Sequence, residues 1–162
     1  MWWKIKYKKE IKETQEEINQ IKIVINNNFN KIDKIYQQYK HFHDTLEKTE
    51  KYVGGVVLAP LGFDKLETPK KYNERIKETK TKKEEIFNTN AQDSLNNLNV
   101  KVYNMKQKLI VDFKEISKIA ELLHTTLSKA KNSWVGMLQG LMISAAEGLD
   151  DWLTDPNIDK PK

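Results

Sequence analysis

The sequence predicts an all-α protein, an elongated helical hairpin or three-helix bundle with heptad, coiled-coil seams and an apolar C-terminal helix. Three observations lead there. Apolar residues step by three and four from Ile11 to Val53 without an interrupting proline or glycine. A second run of the same kind extends from Leu95 to Trp134. The 162 residues hold only six glycines and four prolines, too few for the frequent turns of an all-β chain.

Residues 1–8 form a basic, aromatic opening, with Trp2, Trp3 and Tyr7 set among lysines. Residues 9–53 are the long helix. One set of seam positions reads Ile11, Ile18, Ile25, Ile32, Tyr39, Leu46 and Val53; the other reads Thr14, Ile21, Asn28, Ile35, Phe42 and Thr49. A 3.5-residue repeat places these side chains on one stripe, which a helix of this length must cover with a partner. Asn28 lands on that stripe, where a polar residue either sets register or marks a kink. Residues 54–69 are an apolar connector. Gly54 and Gly55 stop the helix, Pro60 and Gly62 keep it from resuming, and Val56–Leu58 reads as a short extended piece. The stretch 53–63 carries no charged residue, so it is expected either to fold over the end of the bundle or to insert into a membrane or a partner's pocket.

Thr68-Pro69 opens the next segment, 70–132. Its first part is a charged helix with a thin seam of Tyr72, Ile76, Thr79, Ile86 and Phe87. A polar break at 88–93 serves as a hinge, and a second long helix follows. That helix carries Leu95, Leu98, Val102, Met105, Leu109, Phe113, Ile116, Ala120, Leu123 and Leu127, with a stutter near Leu109. Residues 133–153 are the apolar helix, in which 133–149 carry one charge, Glu147. Gly136, Gly140, Ser144 and Gly148 recur every fourth residue and make a ridge of small residues that admits a second backbone. Trp134 and the larger apolar residues lie toward the other side. Residues 154–162 are a tail containing Pro156 and Pro161.

Lys+Arg 28 against Asp+Glu 23 gives a net charge of +5, but Arg75 is the single arginine. Specific readers of nucleic acid favour arginine for its planar fork, so the lysines read mostly as a solvated helical surface and nucleic acid is not the expected partner. With no cysteine, disulfide frameworks, thiolate metal sites and thiol nucleophiles are excluded. His41 and His43 point about 200° apart on a helix and do not chelate one metal. His43 with Glu47 and His41 with Asp44 are expected to be surface neighbours, and His124 a partly buried residue. No phosphate-binding loop or nucleophile motif appears, so the sequence predicts no catalytic residue, cofactor, metal or small-molecule substrate.

Neither an apolar leader core nor a spanning helix is present in this sequence. The expectation is therefore a non-enzymatic, oligomeric α-helical structural or assembly protein. It would be a component of a larger complex such as a virion, an injection or a secretion apparatus, placed in that assembly or exported without a leader. Its partners would be copies of itself or other helical proteins, met through Ile18, Ile25, Ile32, Tyr39, Trp134, Gly136, Gly140, Ser144 and Gly148. An alternative is a membrane-active helical protein whose lipid contacts are Trp2, Trp3, Val56, Val57, Leu58, Leu61 and Phe63. A sequence-independent nucleic-acid binder is the second alternative.

Overall fold

The computed structural model describes residues 2–53, 57–129, 136, 138–140, 143 and 160–161. Side chains of the first helix are described at Lys8, at Glu10 and from Lys12 onward. Three long helices carry the fold: α1 (Trp2–Val53), α2 (Pro69–Thr89) and α3 (Gln92–Lys129). There is no strand among the described residues. The basic opening is continuous with α1, whose 52 residues span ~78 Å at ~1.5 Å each. Between α1 and α2 the chain makes two 3-10 turns, Ala59–Leu61 and Phe63–Lys65, instead of an extended piece at Leu58.

Cross-helix pairs give the direction of each element. Glu17 meets Gln92, Asn28 meets Lys106 and Phe42 meets Phe113, so α1 and α3 run parallel. Tyr39 meets Tyr72, Asp33 meets Lys80 and Lys22 meets Asn90, so α2 runs antiparallel to α1. The arrangement is up-down-up, a three-helix bundle rather than a two-helix hairpin.

The heptad positions of α1 are buried where α2 and α3 flank them. Ile25, Ile32, Tyr39 and Leu46 are fully buried, and so are Asn28, Ile35, Phe42 and Thr49. The stripe is wider than the two-position seam, because Phe29, Tyr36 and His43 are buried as well. Those three recur every seventh residue on the flank that α2 approaches; Lys83 of α2 lies 5.5 Å above the Phe29 ring. A helix between two neighbours buries a broader face than one in a two-stranded coil.

Cover ends near Lys22. Its ammonium donates to the Phe87 carbonyl at 3.1 Å and to Asn90 Oδ1 at 2.5 Å, where α2 terminates. Asn90 adopts the left-handed conformation, φ 53°, and the chain turns into α3 within two residues. The break expected at 88–93 is this turn. α2 has no basic residue in its own last turn, and Lys22 supplies the cation from α1. Beyond this level α1 overhangs α2: Thr14 is exposed, and Ile18 and Ile21 are half-buried against the core.

The other end is closed by the connector. Leu58 and Phe63 are buried in the main core, and Val57, Leu61 and Leu66 pack against it. Glu50 of α1 accepts the Leu58 backbone N–H at 2.9 Å. Gly62 sits at φ 92°, a conformation that side-chain-bearing residues avoid, and so lets one turn follow directly on the other. Thr68 then caps α2 by accepting the Lys71 N–H at 3.3 Å, with Pro69 in its first turn.

The expected α3 seam is buried except at Met105, which is half-buried. Its place is taken by Lys106, only 2% exposed, and Asn99, Ile110 and Ile119 are also buried. Again the cause is a helix with two neighbours.

Replacing Ile32 by Asp puts a carboxylate into a fully enclosed position between the helices. Ile32→Asp should cost about 3–5 kcal/mol in a denaturation experiment, whereas Lys34→Asp, at an exposed position two residues away, should stay within about 0.5 kcal/mol. Equal losses at both positions would mean that α1 is not packed in this register.

Candidate interaction surfaces

A polar cluster ties all three helices to the connector. Tyr39 of α1 donates its hydroxyl to the Glu67 carbonyl at 2.7 Å. The Glu67 carboxylate accepts from Arg75 of α2 and, at 2.7 Å, from Lys108 of α3. Tyr72 of α2 donates to Asp112 of α3, and Lys108 also reaches Asp112 and the Tyr72 oxygen, each at 3.1 Å. The Arg75 guanidinium lies 5.2 Å from the Tyr72 ring centre. The single arginine is therefore used inside the molecule, where its planar group can stack on a ring and donate at once.

The chemistry of this cluster is that of a clamp. Burial, followed by the hydrogen bond to Asp112, raises the Tyr72 hydroxyl well above its ordinary pKa, so it stays a donor. Burial likewise raises Tyr39. For Lys108 burial works downward, but hydrogen bonds to Glu67 and Asp112 outweigh it, and the ammonium is held charged. None of these three groups is poised to exchange a proton near neutral pH.

A second polar feature lies inside the core. Lys106 Nζ donates to Asn28 Oδ1 at 2.8 Å, joining α3 to α1, and also lies 5.3 Å from the Tyr103 ring centre. Asn28 is fully buried and its Nδ2 has no hydrogen-bond partner. The seam asparagine was legible in the sequence; its lysine partner was not. The signal was present, since Val102, Lys106, Leu109 and Phe113 keep the three-and-four spacing as well as the series through Met105 does.

His43 is not the surface residue its neighbours suggested. It is 6% exposed, with its ring 4.6 Å from Phe63 of the connector and 6.3 Å from Tyr39. The reason is the width of the α1 stripe and the fold of the connector across it. His43 Nδ1 still lies 3.2 Å from Glu47 Oε1. Burial lowers its pKa from 6.5, against the opposing pull of Glu47 and Asp44. His41 is exposed and His124 half-buried. Among the described residues no three His, Asp or Glu side chains converge as metal ligands.

The structure uses several residues named for a partner interface within the chain itself. Ile25, Ile32 and Tyr39 are fully enclosed by the bundle, leaving Ile18, half-buried, as the member of that set with surface to offer. Gly136 and Gly140 are helical and exposed, and among the described residues no atom beyond the local helix lies within 4 Å of the position a Cβ would occupy. Leu138 between them is fully buried. Trp134, Ser144 and Gly148 lie outside the described residues, as does Val56. The backbone of Trp2 and Trp3 belongs to α1, and their side chains lie outside the description. Of the connector residues named for lipid contact, Leu58 and Phe63 are turned inward and Val57 and Leu61 are half-buried. No described helix is long and apolar enough to cross a membrane.

Sequence reasoning missed a line of exposed apolar residues on α3: Val100, Val111 and Leu122, each close to half exposed or more. They recur every eleven residues, nearly three whole turns, and so share one face. These residues fall outside the seam pattern because they lie on its far side. The class that emerges is an up-down-up helical bundle with an overhanging first helix. No family model, curated protein or solved structure matches the chain.

Two outcomes follow from the buried polar groups. Lys106→Met should cost about 1–3 kcal/mol in urea denaturation, since it strips Asn28 Oδ1 of its donor. Adding Asn28→Leu should restore stability to near or above the starting value, because an apolar pair avoids the desolvation of both groups. Strictly additive losses would show that the two residues do not act as a pair.

For His43 the folded pKa is below the unfolded value, so folding favours the neutral ring. That contribution is complete above pH about 6.5 and is lost as pH falls from there toward the lowered folded value. The urea midpoint should accordingly fall between pH 7.5 and 5.5 by more in the wild type than in His43→Phe. Parallel pH profiles would mean that His43 is not buried in the neutral form.

Proposed function

We propose that this chain is a non-enzymatic α-helical building block that assembles with copies of itself or with other helical proteins in a larger complex. The observation carrying this reading is the open glycine face at Gly136 and Gly140. A glycine inside a helix costs ~1 kcal/mol relative to alanine, and the missing side chain is useful only where another backbone occupies the space. Within the described chain nothing does so. The same four-residue spacing continues in the sequence to Ser144 and Gly148.

Two other surfaces support the reading. The overhang of α1 carries Ile18 beyond the cover of α2, and α3 presents Val100, Val111 and Leu122 along its outer face. Apolar surface arranged along a helix is a common basis of helix association. Nucleic-acid binding is favoured less, because Arg75 is engaged by Glu67 and Tyr72.

The test is the solution mass and melting of Gly140→Leu. In an interface the added side chain has no room, and the variant should lose oligomer mass or stability. A gain of up to ~1 kcal/mol with unchanged mass would overturn the reading, since leucine is simply the better helix former on an unpartnered surface. A wild-type chain that stays monomeric throughout the micromolar range would overturn it as well.

A further inference from the structure

A groove of about 810 Å³ opens between the first part of α1 and the beginning of α3. Its α1 wall carries three carboxylates, Glu13, Glu16 and Glu17, all exposed. Gln92 of α3 donates to Glu17 at 3.2 Å and holds one side of the groove in place. Ile21 and Val24, both half-buried, supply apolar wall. Asn99 lines the same groove, is only 7% exposed, and its Oδ1 has no hydrogen-bond partner. An unpartnered buried acceptor costs free energy unless something donates to it.

These features specify the chemistry of an occupant: a donor-rich cation to meet the carboxylates and the amide oxygen, on an aliphatic stem to lie along Ile21 and Val24. A lysine side chain has both parts. Gln20 and Asn96 also line the groove, and Lys160 and Pro161 join its lining from a distant part of the sequence. Lys160 is exposed at the groove and Pro161 is half-buried. Residues 160–162 read Lys-Pro-Lys, with no acidic side chain among them.

We propose that this groove is the seat of the chain's own Lys160-Pro161 segment, a latch that fastens it across α1 and α3. The ammonium of Lys160 enters between Glu13, Glu16 and Glu17 and donates to Asn99 Oδ1, while Pro161 lies against the apolar wall. The latch is intramolecular and is independent of the assembly reading. Attraction between exposed charges is screened by salt, so its occupancy should fall as ionic strength rises.

Carbodiimide treatment of the full chain tests this directly, since it forms an amide between a carboxylate and a lysine amine in contact. An equal mixture of ordinary and 15N-labelled protein separates links within one chain from links between chains. The expected products join Lys160 to Glu13, Glu16 or Glu17 within single-isotope peptides, with lower yield at high salt. As an independent readout, the Asn99 side-chain amide resonance should shift in the variant Lys160→Ala. Mixed-isotope links would place the lysine in a second copy and overturn the intramolecular latch. Failure of Lys160 to link to any of these glutamates, or an unmoved Asn99 resonance, would overturn it too.

Discussion

The width of the buried stripe on α1 is the constraint on which the other elements depend. A two-position seam would be satisfied by one neighbour. Burying Phe29, Tyr36 and His43 beside Ile25, Ile32, Tyr39 and Leu46 requires cover from two directions. A helix of 52 residues gains little from its own propensity and is held by what packs along it. Both α2 and α3 are therefore needed, and their lengths decide how much of α1 is covered. Where α2 ends, at the level of Lys22, the enclosed part of α1 ends as well.

Connections between the helices are made by groups that the apolar pattern does not include. Glu67 stands at the centre of one joint: its carbonyl accepts from α1, and its carboxylate from α2 and α3. The cations there are partly exposed, so Coulomb attraction adds little and the value of the cluster lies in orientation. Tyr72, fully buried at its ring and bonded at its hydroxyl to Asp112, links that rim to the core. Deeper in, Lys106 and Asn28 place a polar contact at one level of the α1–α3 interface. A polar pair of this kind favours one axial register, because sliding either helix would leave both groups buried without each other.

The surfaces left over are informative because the interior is so fully used. Leu58 and Phe63 close one end of the bundle, which removes apolar area that would otherwise face outward. By contrast the glycine positions at 136 and 140 and the outer line on α3 have no intramolecular use among the described residues. The groove beside the α1 overhang combines carboxylates with a buried acceptor that lacks a donor. The heptad positions from Ile25 to Thr49, with the flanking Phe29, Tyr36 and His43, build the bundle, while Ile18 and Ile21 are the half-buried seam positions left beside the candidate contacts.

The all-helical class, the end of α1 at Val53, the start of α2 after Thr68 and the break near Asn90 were determined by sequence alone. Each rests on local physics: periodicity of apolar side chains, glycine and proline as stops, and capping groups within a few residues. The buried positions from Ile25 to Thr49 were legible for the same reason. Only the tertiary structure decided that α1 and α3 run parallel, that Lys106 replaces Met105 in the core, and that His43 is covered by Phe63. It also decided that Ile25, Ile32 and Tyr39 are enclosed by this chain's own helices. A heptad states that a stripe must be covered but not by which chain, since the apolar contact is the same in either case. That choice depends on the turns at Gly62 and Asn90 bringing distant residues back along α1, and on the side-chain reach of a lysine whose acceptor lies 78 positions away.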